Sequence, residues 1–335
     1  MIHDGSRNMF SVLRVVREFA PGVGGSITHI LELSEAIDPY LKKQVIVAPY
    51  IPGCEEFDQK FPIPIVRVKS PVVCNIGCPA IADFFYSLYA GKVIAKTVET
   101  YGIDIVHFHS PILASYLMPQ LRLGNKILHY VVMAHGWYDK TGRPVGLSYS
   151  IGKKLIKSSL PDYYVILNDG TQIRELQNIL DQKRVPYEIV FHGIDTKRFS
   201  NKANMPQDQF RVLFPHRPIA VKRPDIAMHI FKKFYLAVKD PKTSLTFLAA
   251  ENSNELIALA KQEGVDKCIQ FMKSLSGDAL VNFINQSSVI IGTSLNSNTG
   301  RAIQEAMACA KPVVVFNNGG ISEIITHMEN GILVE

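Results

Sequence analysis

Short apolar runs and amphipathic stretches of helical length alternate along the whole chain. Several of the apolar runs are unbroken and rich in Val and Ile, a pattern typical of strands buried on both faces of a parallel sheet. Helical patterns lie between them, for example at Ser26–Ile37, Ala80–Tyr101, Asp225–Val238 and Asn254–Glu263. This alternation predicts parallel sheets joined by right-handed crossovers. The predicted strands are Ser11–Phe19, Gln44–Pro49, Ile63–Val68, Ile103–Phe108, Leu128–Ala134, Tyr163–Leu167, Glu188–Phe191, Arg211–Pro215, Ser244–Ala249, Cys268–Phe271, Val289–Gly292 and Pro312–Phe316.

A polar stretch between Asp195 and Gln209 has no periodicity and predicts a domain boundary. Seven predicted strands precede it and five follow, so we expect domains at residues 1–196 and 210–335. A chain of 335 residues is too long for one ordinary core, which agrees with two domains. The chain stops at Asn330–Glu335, inside what looks like a further strand, and we expect the second domain to be truncated at its C-terminus.

The composition indicates a globular protein, since 47% of the residues are hydrophobic and 20% are charged. The modest net charge of +6 favours anionic ligands or an anionic membrane face, without the basic stripe of a nucleic-acid binder. No apolar run is long enough to cross a bilayer. Residues Met1–Asn8 lack the apolar core of a signal peptide, so we expect a cytoplasmic protein.

The cysteines give no sign of a disulfide framework, because they are odd in number and scattered through a long chain. Cys74 and Cys78 lie four positions apart, but no further metal ligand is near them at suitable spacing. We therefore expect reduced thiols, with at least Cys309 packed in a core. The five cysteines are Cys54, Cys74, Cys78, Cys268 and Cys309.

The most informative segment is Thr299–Glu323, which reads as turn, helix, strand, glycine turn and helix. A Glu-Ala-Met-Ala helix at Glu305–Ala308 is followed by the strand beginning Pro312-Val313-Val314 and then by a Gly-Gly-x-x-Glu turn ending at Glu323. This run resembles the donor-binding signature of nucleotide-sugar glycosyltransferases, the large retaining family of the group 1, GT-B type. The resemblance implies an α/β fold in which two Rossmann-like parallel-sheet domains face each other across a cleft.

The same resemblance implies an activity. The protein would move a sugar from a nucleoside diphosphate donor, UDP- or GDP-linked, to a hydroxyl of a glycan or lipid-linked acceptor, with retention at the anomeric carbon. The family needs no metal or other cofactor for this reaction. Nucleic acid is not an expected partner.

A basic loop opens the second domain at the carboxyl end of its first predicted strand, where ligands bind in such sheets. Arg217 and Lys222 are separated by four residues there, and two fixed cations could neutralise a diphosphate leaving group. The family has Gly-Arg followed by Lys at this place, whereas here His216 replaces the Gly. The alternative interpretation is a solvated basic loop.

The helix that holds Glu305 matches the family's donor site, in which this Glu binds the ribose hydroxyls. Gly300 matches the glycine whose neighbouring N–H groups face sugar and phosphate, and Arg301 and Ala302 belong to the same stretch. The family has a second Glu eight positions before the first, at a position occupied here by Ser297. This departure leaves open a different donor sugar, Asn296 or Asn298 acting as a substitute for the missing carboxylate, or weak or absent transfer.

The first domain offers a glycine turn at Pro21–Ser26, between a predicted strand and a helix. Backbone N–H groups at Gly24 and Gly25 could approach a phosphate at the helix N-terminus. In the family a Gly-Gly pair here faces the donor diphosphate and the acceptor. A tight turn without a ligand is the alternative.

Histidines stand at two predicted strand ends of the first domain. The resemblance implies that His135 orients the donor sugar. His107 and His109 share one face of a strand, which permits a metal pair, but no third ligand is apparent and we expect packing residues. The turn that contains His192 matches a family turn that we interpret as structural.

The segment from Lys126 to Lys157 is rich in lysine and poor in acids. Its helix at Gly152–Lys157 could rest on anionic lipid, which would make the protein peripheral at the inner membrane face. A solvated helix face is the other interpretation.

Three other functions are weighed against glycosyl transfer. One is a weak or inactive relative that binds a nucleotide or glycan, and another is a nucleotide-sugar epimerase or hydrolase on the same fold. A dinucleotide-dependent oxidoreductase is disfavoured, because neither glycine turn carries the full fingerprint with its acidic ribose partner.

Overall fold

The structure is a computed structural model that describes residues 10–22, 24–70, 79–124, 127–135, 147–168, 173–202, 209–295, 300–318 and 320–335. It divides into two compact units. The first comprises Met1–Leu167 and Gln172–Val190, and the second comprises Asn168–Thr171 and Phe191–Glu335.

The first unit is built on a seven-stranded parallel sheet, as far as the described residues show, with the strand order β3-β2-β1-β4-β5-β6-β7. Its strands are β1 (Ser11–Val15), β2 (Lys43–Pro49), β3 (Ile65–Val68), β4 (Ile105–Phe108), β5 (His129–Ala134), β6 (Tyr163–Leu167) and β7 (Tyr187–Val190). Its helices are α1 (Gly25–Ile37), α2 (Cys54–Lys60), α3 (Pro79–Tyr101), α4 (Pro111–Arg122), α5 (Leu147–Ser158) and α6 (Ile173–Lys183).

Helices cover both faces of this sheet, which explains the unbroken apolar runs. On β2, Val45 and Val47 belong to the large core that includes residues of α3 and α4. The alternate residues Ile46 and Ala48 belong to a second core with Ile27 of α1. Since successive side chains of a strand point to opposite faces, a strand between two helical layers has no polar face.

The second unit repeats this architecture. Its described residues form a six-stranded parallel sheet in the order β10-β9-β8-β11-β12-β13. The strands are β8 (Phe210–Phe214), β9 (Thr243–Phe247), β10 (Ile269–Phe271), β11 (Val289–Gly292), β12 (Val313–Phe316) and β13 (Ile332–Val334). The helices are α7 (Pro224–Val238), α8 (Asn254–Glu263), α9 (Gly277–Asn285) and α10 (Arg301–Ala308).

Strand order places a switch point in each sheet. The first strand of each unit, β1 or β8, lies between the unit's second strand and its fourth, β4 or β11. The connections on the two sides of such a point lead to opposite faces of the sheet and leave a crevice at the carboxyl ends of the strands. Ligands of doubly wound folds bind there, so the loops after β1, β4, β8 and β11 are the first places to seek a site.

All twelve predicted strands are present, with ends that differ by up to a few residues. The largest error is at β1, which was predicted to reach Phe19 but ends at Val15. Phe19 is buried outside the strand, against the rings of Phe57 and Phe61. The further strand expected near the chain end is β13. Cys309 is buried in the core, as predicted, while Cys74 and Cys78 lie outside the described residues.

Substitution of Gly331, just before β13, tests the packing of the second unit. A Cβ at this position would lie 2.7 Å from Cγ2 of Val313 and 3.0 Å from Cγ2 of Ile325, both buried side chains. We expect Gly331→Ala to lower the free energy of unfolding by about 1–3 kcal/mol, because the buried neighbours must move. Urea denaturation measures this difference. Gly193→Ala is the control, since a Cβ there meets no atom within 4 Å, and equal losses in both variants would contradict the packing.

Candidate functional site

The loop after β8 is held firmly against the end of β11. The hydroxyl of Thr293 donates to the carbonyl oxygens of Lys222 at 3.0 Å and Arg223 at 2.7 Å. The backbone N–H of Leu295 donates to the carbonyl oxygen of Val221 at 3.0 Å. These bonds cross between two neighbouring strands at the switch point, so the loop's position is set by the sheet and not by the loop alone.

Two cations on this loop have no acidic partner among the residues that the structure describes. Arg217 is exposed and Lys222 is half-buried, and in the described part of the chain neither has a carboxylate within ion-pair distance. Burial, and then the charge of Arg217, lowers the pKa of Lys222. An anion bound between the two cations would offset the burial of Lys222 and its repulsion from Arg217, and would favour the charged form of Lys222. Arg223 differs, because its guanidinium is paired with the carboxylate of Asp225 at 2.7 Å.

His216, which replaces the family glycine, is buried at the base of this loop. Its ring meets that of Phe214 edge-on, with centroids 5.3 Å apart. Burial, and then Lys222, lowers the pKa of His216 to about 3, so the imidazole is neutral at ordinary pH. The ring lines a pocket together with residues of β11, α10 and β12. The lining residues are His216, Gly292, Ser294, Ile303, Val315, Phe316 and Ile321. The pocket brings the basic loop and α10 together.

The helix α10 presents the predicted donor-site residues. Gly300 precedes the helix with φ +60°, a left-handed conformation that favours glycine. Glu305 is 8% exposed, and its carboxylate oxygen Oε1 accepts from Nε of Arg301 at 2.8 Å, one helical turn away. Glu305 is therefore a buried, oriented carboxylate and not a solvated helix charge. Ala302 is half-buried on the same helix, and Ser297 lies outside the described residues.

His192 lies near α10 although the sequence assigned it a structural turn. Burial, and then the charge of Arg301, lowers the pKa of His192 to about 4. His192 lies close to Arg301 because of the path that the chain takes after β7. The two residues are 109 positions apart, so the sequence gives no sign that they are neighbours. His192 is a further neutral imidazole beside the predicted donor-binding stretch.

The glycine turn of the first unit lies at the N-terminus of α1. Gly24 is extended and precedes the helix, and Gly25 is its first residue. The carbonyl oxygen of Gly24 accepts from both the backbone N–H of Thr28 at 3.0 Å and its hydroxyl at 3.2 Å. The first N–H groups of α1 face outward along the helix axis, as at any helix start.

His135 directly follows β5 and belongs to a group of histidines at the carboxyl edge of the first sheet. Its Nε2 lies 3.1 Å from Nδ1 of His109, and its ring meets that of His29 edge-on with centroids 5.2 Å apart. His107 lies beside His109 with ring centroids 4.4 Å apart. Within the described ranges, no three His, Cys, Asp or Glu side chains are arranged to hold a metal ion.

Two buried charges in the first unit escaped the sequence analysis. Arg14 of β1 is fully buried and touches His107 and His109. Asp83 of α3 pairs with Arg17 at 3.0 Å, yet burial outweighs Arg17 and raises the pKa of Asp83 to about 6. A carboxyl of this kind can exchange a proton near neutral pH. The available signal was a lone acid inside an apolar helical run.

The basic helix α5 is less uniformly charged in the structure than its sequence suggests. Lys153 is paired with Glu175, while Lys154 and Lys157 are exposed. Lys126 lies outside the described residues. None of the described helices is both long and apolar enough to cross a membrane.

Comparison with known proteins shows the family to which this chain belongs. A family model described as "Glycosyltransferase Family 4" matches residues 23–198, more than half of the chain, and one described as "Glycosyl transferases group 1" matches residues 195–335. The chain therefore belongs to the group 1 glycosyltransferases, and it is a glycosyltransferase of the GT-B fold class, with two parallel-sheet α/β domains.

Individual proteins agree with this assignment. "Putative glycosyltransferase EpsD" of Bacillus subtilis (strain 168) is 28% identical over 83% of this chain and 72% of its own length. The sucrose-phosphate synthase of Thermosynechococcus elongatus superposes with a TM-score of 0.75, at 16% identity, over 96% of this chain and 85% of that one. The Anabaena protein Alr3699/HepE in complex with UDP gives 0.72, at 14% identity, over 97% and 85%. At these identities the solved structures show the fold alone.

The buried state of His216 predicts acid sensitivity. The unfolded chain takes up a proton near pH 6.5, whereas folded His216 resists until about pH 3. The stability that this neutral imidazole contributes is present above pH 6.5 and is lost as the pH falls towards 3, by about 2 kcal/mol at pH 5. We therefore expect His216→Gln to reduce the difference in unfolding free energy between pH 7.5 and pH 5 by about that amount.

Urea denaturation at the two pH values measures the effect. His229→Gln is the control, because the His229 side chain is 50% exposed on α7 of the same unit. An unchanged pH dependence in His216→Gln would show that this imidazole is protonated in the folded protein.

Proposed function

We propose that this glycosyltransferase moves a sugar from a nucleoside diphosphate sugar to an acceptor hydroxyl, with retention at the anomeric carbon. The observation that carries the proposal is the loop with Arg217 and Lys222. Its backbone is held at the switch point of the second sheet, and its two cations lack acidic partners among the described residues. Stabilising the departing diphosphate electrostatically is the main demand of such a reaction.

The residues around the loop fit the remaining parts of a nucleotide sugar. Glu305 is oriented by Arg301 and would accept hydrogen bonds from the ribose hydroxyls. The left-handed turn at Gly300 would direct backbone N–H groups of the α10 N-terminus towards phosphate. In the first unit, Gly24 and Gly25 would assist at the N-terminus of α1, and His135 would orient the sugar.

Because the cations of the protein would neutralise the leaving group, we also propose that transfer needs no divalent metal ion. UDP is the first nucleotide to test, since the solved structures of the similar fold include Alr3699/HepE in complex with UDP and with UDP-glucose. GDP remains the second candidate. A glycan or a lipid-linked sugar is the proposed acceptor class.

The nucleotide proposal predicts a specific loss of binding. Calorimetric titration with UDP, GDP and ADP should show tight binding of one of them. The double variant Arg217→Ala/Lys222→Ala should bind it about 100-fold more weakly or worse, because two charge-assisted hydrogen bonds are removed. Lys233→Ala is the matched control, an exposed lysine about 13 Å along α7 from its N-terminus. Undiminished binding by the double variant would place the diphosphate elsewhere.

An assay without acceptor separates transfer from hydrolysis or epimerisation. A transferase should leave the bound nucleotide sugar essentially intact until an acceptor is added. Rapid acceptor-independent release of sugar or formation of its epimer would favour those alternatives over transfer.

A peripheral contact with anionic membrane is proposed as well, in a cytoplasmic setting. The described part of α5 offers exposed Lys154 and Lys157, and the neighbouring α3 exposes the large apolar side chains of Phe84, Phe85 and Leu88. Apolar side chains beside lysines are typical of surfaces that bind the lipid–water boundary. Lipid-linked acceptors would be reached from such a position.

This contact predicts selective vesicle binding. The protein should sediment with vesicles that contain phosphatidylglycerol and much less with pure phosphatidylcholine vesicles. Lys154→Gln/Lys157→Gln should weaken binding about 10- to 30-fold, because each lysine near the surface contributes about 1 kcal/mol. The exposed pair Lys261→Gln/Lys267→Gln of the second unit is the control. Equal losses in both double variants would contradict a surface at α5.

A further inference from the structure

A fully buried arginine stands at the switch point of the first sheet, with hydrogen-bond acceptors beside two of its three guanidinium nitrogens. Arg14 of β1 pairs in register with His107 of β4, and His109 lies two residues further along the same face. Burial lowers the pKa of Arg14 to about 10, so the guanidinium still carries its charge at neutral pH. An arginine donates hydrogen bonds through every nitrogen and accepts none. The direction of each hydrogen bond that it makes is therefore fixed.

Gln44 fixes one side of the guanidinium. Its amide Nε2 donates to the carbonyl oxygen of Ser34 and to a carboxylate oxygen of Asp38, both at 2.7 Å. The amide oxygen Oε1 consequently faces Arg14 and accepts from Nε at 3.3 Å. This arrangement holds the guanidinium in place from the side of β2.

The other side of the guanidinium meets two imidazoles. Nη1 of Arg14 lies 3.0 Å from Nδ1 of His107 and 3.4 Å from Nε2 of His109. Burial above all, and then nearby positive charge, lowers the pKa of both histidines well below the usual value. Each ring is therefore neutral and has one donor and one acceptor nitrogen. Since Arg14 only donates, the nitrogen that faces it must be the acceptor in each ring.

The proton position in His109 also determines the proton position in His135. With Nε2 of His109 accepting from Arg14, the single proton of His109 sits on Nδ1. That nitrogen lies 3.1 Å from Nε2 of His135, which must therefore accept. A proton on Nε2 of His135 would set two N–H donors against each other. The proton of His135 is thus confined to Nδ1, the opposite nitrogen.

We propose that Arg14 is a positioning residue that acts through His109 and holds His135 as the neutral Nδ1–H tautomer, the form in which His135 would take part in orienting the donor sugar. A neutral imidazole with this tautomer orients a hydroxyl without transferring a proton to it. The role for the sugar depends on the proposed function, whereas the tautomer assignment depends on the hydrogen bonds alone.

A metal site is the competing interpretation of this histidine group. It fits poorly, because a charged guanidinium lies within hydrogen-bond distance of two of the imidazoles and occupies the lone pairs that a metal would need. Repulsion between a metal cation and Arg14 would add to the cost.

Nuclear magnetic resonance of the protein labelled with ¹⁵N-histidine tests the tautomers directly. Long-range ¹H–¹⁵N correlation at pH 7.5 should show His109 and His135 as Nδ1–H and His107 as Nε2–H, although neutral histidine in water prefers Nε2–H. Spectra of His109→Gln and His135→Gln assign the signals. A wild-type His135 that is protonated on Nε2, or on both nitrogens, would overturn the inference without any need for an Arg14 variant.

The variants Arg14→Met and Arg14→Lys then test whether Arg14 causes this pattern of histidine tautomers. Methionine removes the donor, so His109 and His135 should shift towards the Nε2–H form, while lysine keeps a donor and should preserve the wild-type pattern in part. Sugar transfer by Arg14→Met should fall about 3- to 10-fold, as expected for one lost oriented hydrogen bond, while UDP, which lacks the transferred sugar, should bind unchanged.

The proposed function and the proposed role of Arg14 can be refuted independently of each other. A protein that binds no nucleoside diphosphate but shows the predicted tautomers refutes the proposed function and keeps the network. A folded Arg14→Met protein with unchanged tautomers refutes the positioning role, even if its transfer activity is low. Thermal unfolding of each variant confirms that the comparison is made on folded protein.

Discussion

Parallel strand pairing is the constraint on which both halves of this molecule depend. Parallel neighbours cannot be joined by tight turns, so each connection crosses over a face of the sheet and each face becomes covered by helices. The strands of a sheet then end at one edge. In both units that edge carries the candidate site residues: Arg217 and Lys222 after β8, and the Arg14 network at the ends of β1 and β4.

The two edges use positive charge in different ways. Lys222 and Arg217 remain partly accessible and lack carboxylate partners among the described residues, which suits a ligand that brings its own negative charge. Arg14 is fully enclosed, and its charge is met by an amide oxygen and two imidazole nitrogens. Burying a charge costs free energy unless hydrogen bonds compensate for it. Here the compensation fixes the protons of the neighbouring histidines.

The sequence predicted the sheets well because strands buried on both faces are marked by unbroken apolar runs, as at β2 and β11. The same signal misplaced the end of β1, since an apolar residue such as Phe19 is equally buried in a loop. Arg217, Glu305 and Gly300 could be named as candidate donor-site residues because their motifs are local. The contact between Arg14 and His109 spans 95 positions and exists only through the pairing of β1 with β4, which a one-dimensional pattern does not contain.

We infer that the loop after β8 and the helix α10 together bind a nucleoside diphosphate. A crystal structure of the protein with UDP is the decisive experiment. Diphosphate oxygens should lie about 2.7–3.2 Å from the side-chain nitrogens of Arg217 and Lys222, with the ribose hydroxyls on the carboxylate of Glu305. A nucleotide bound away from both cations, with Glu305 still paired solely to Arg301, would contradict it.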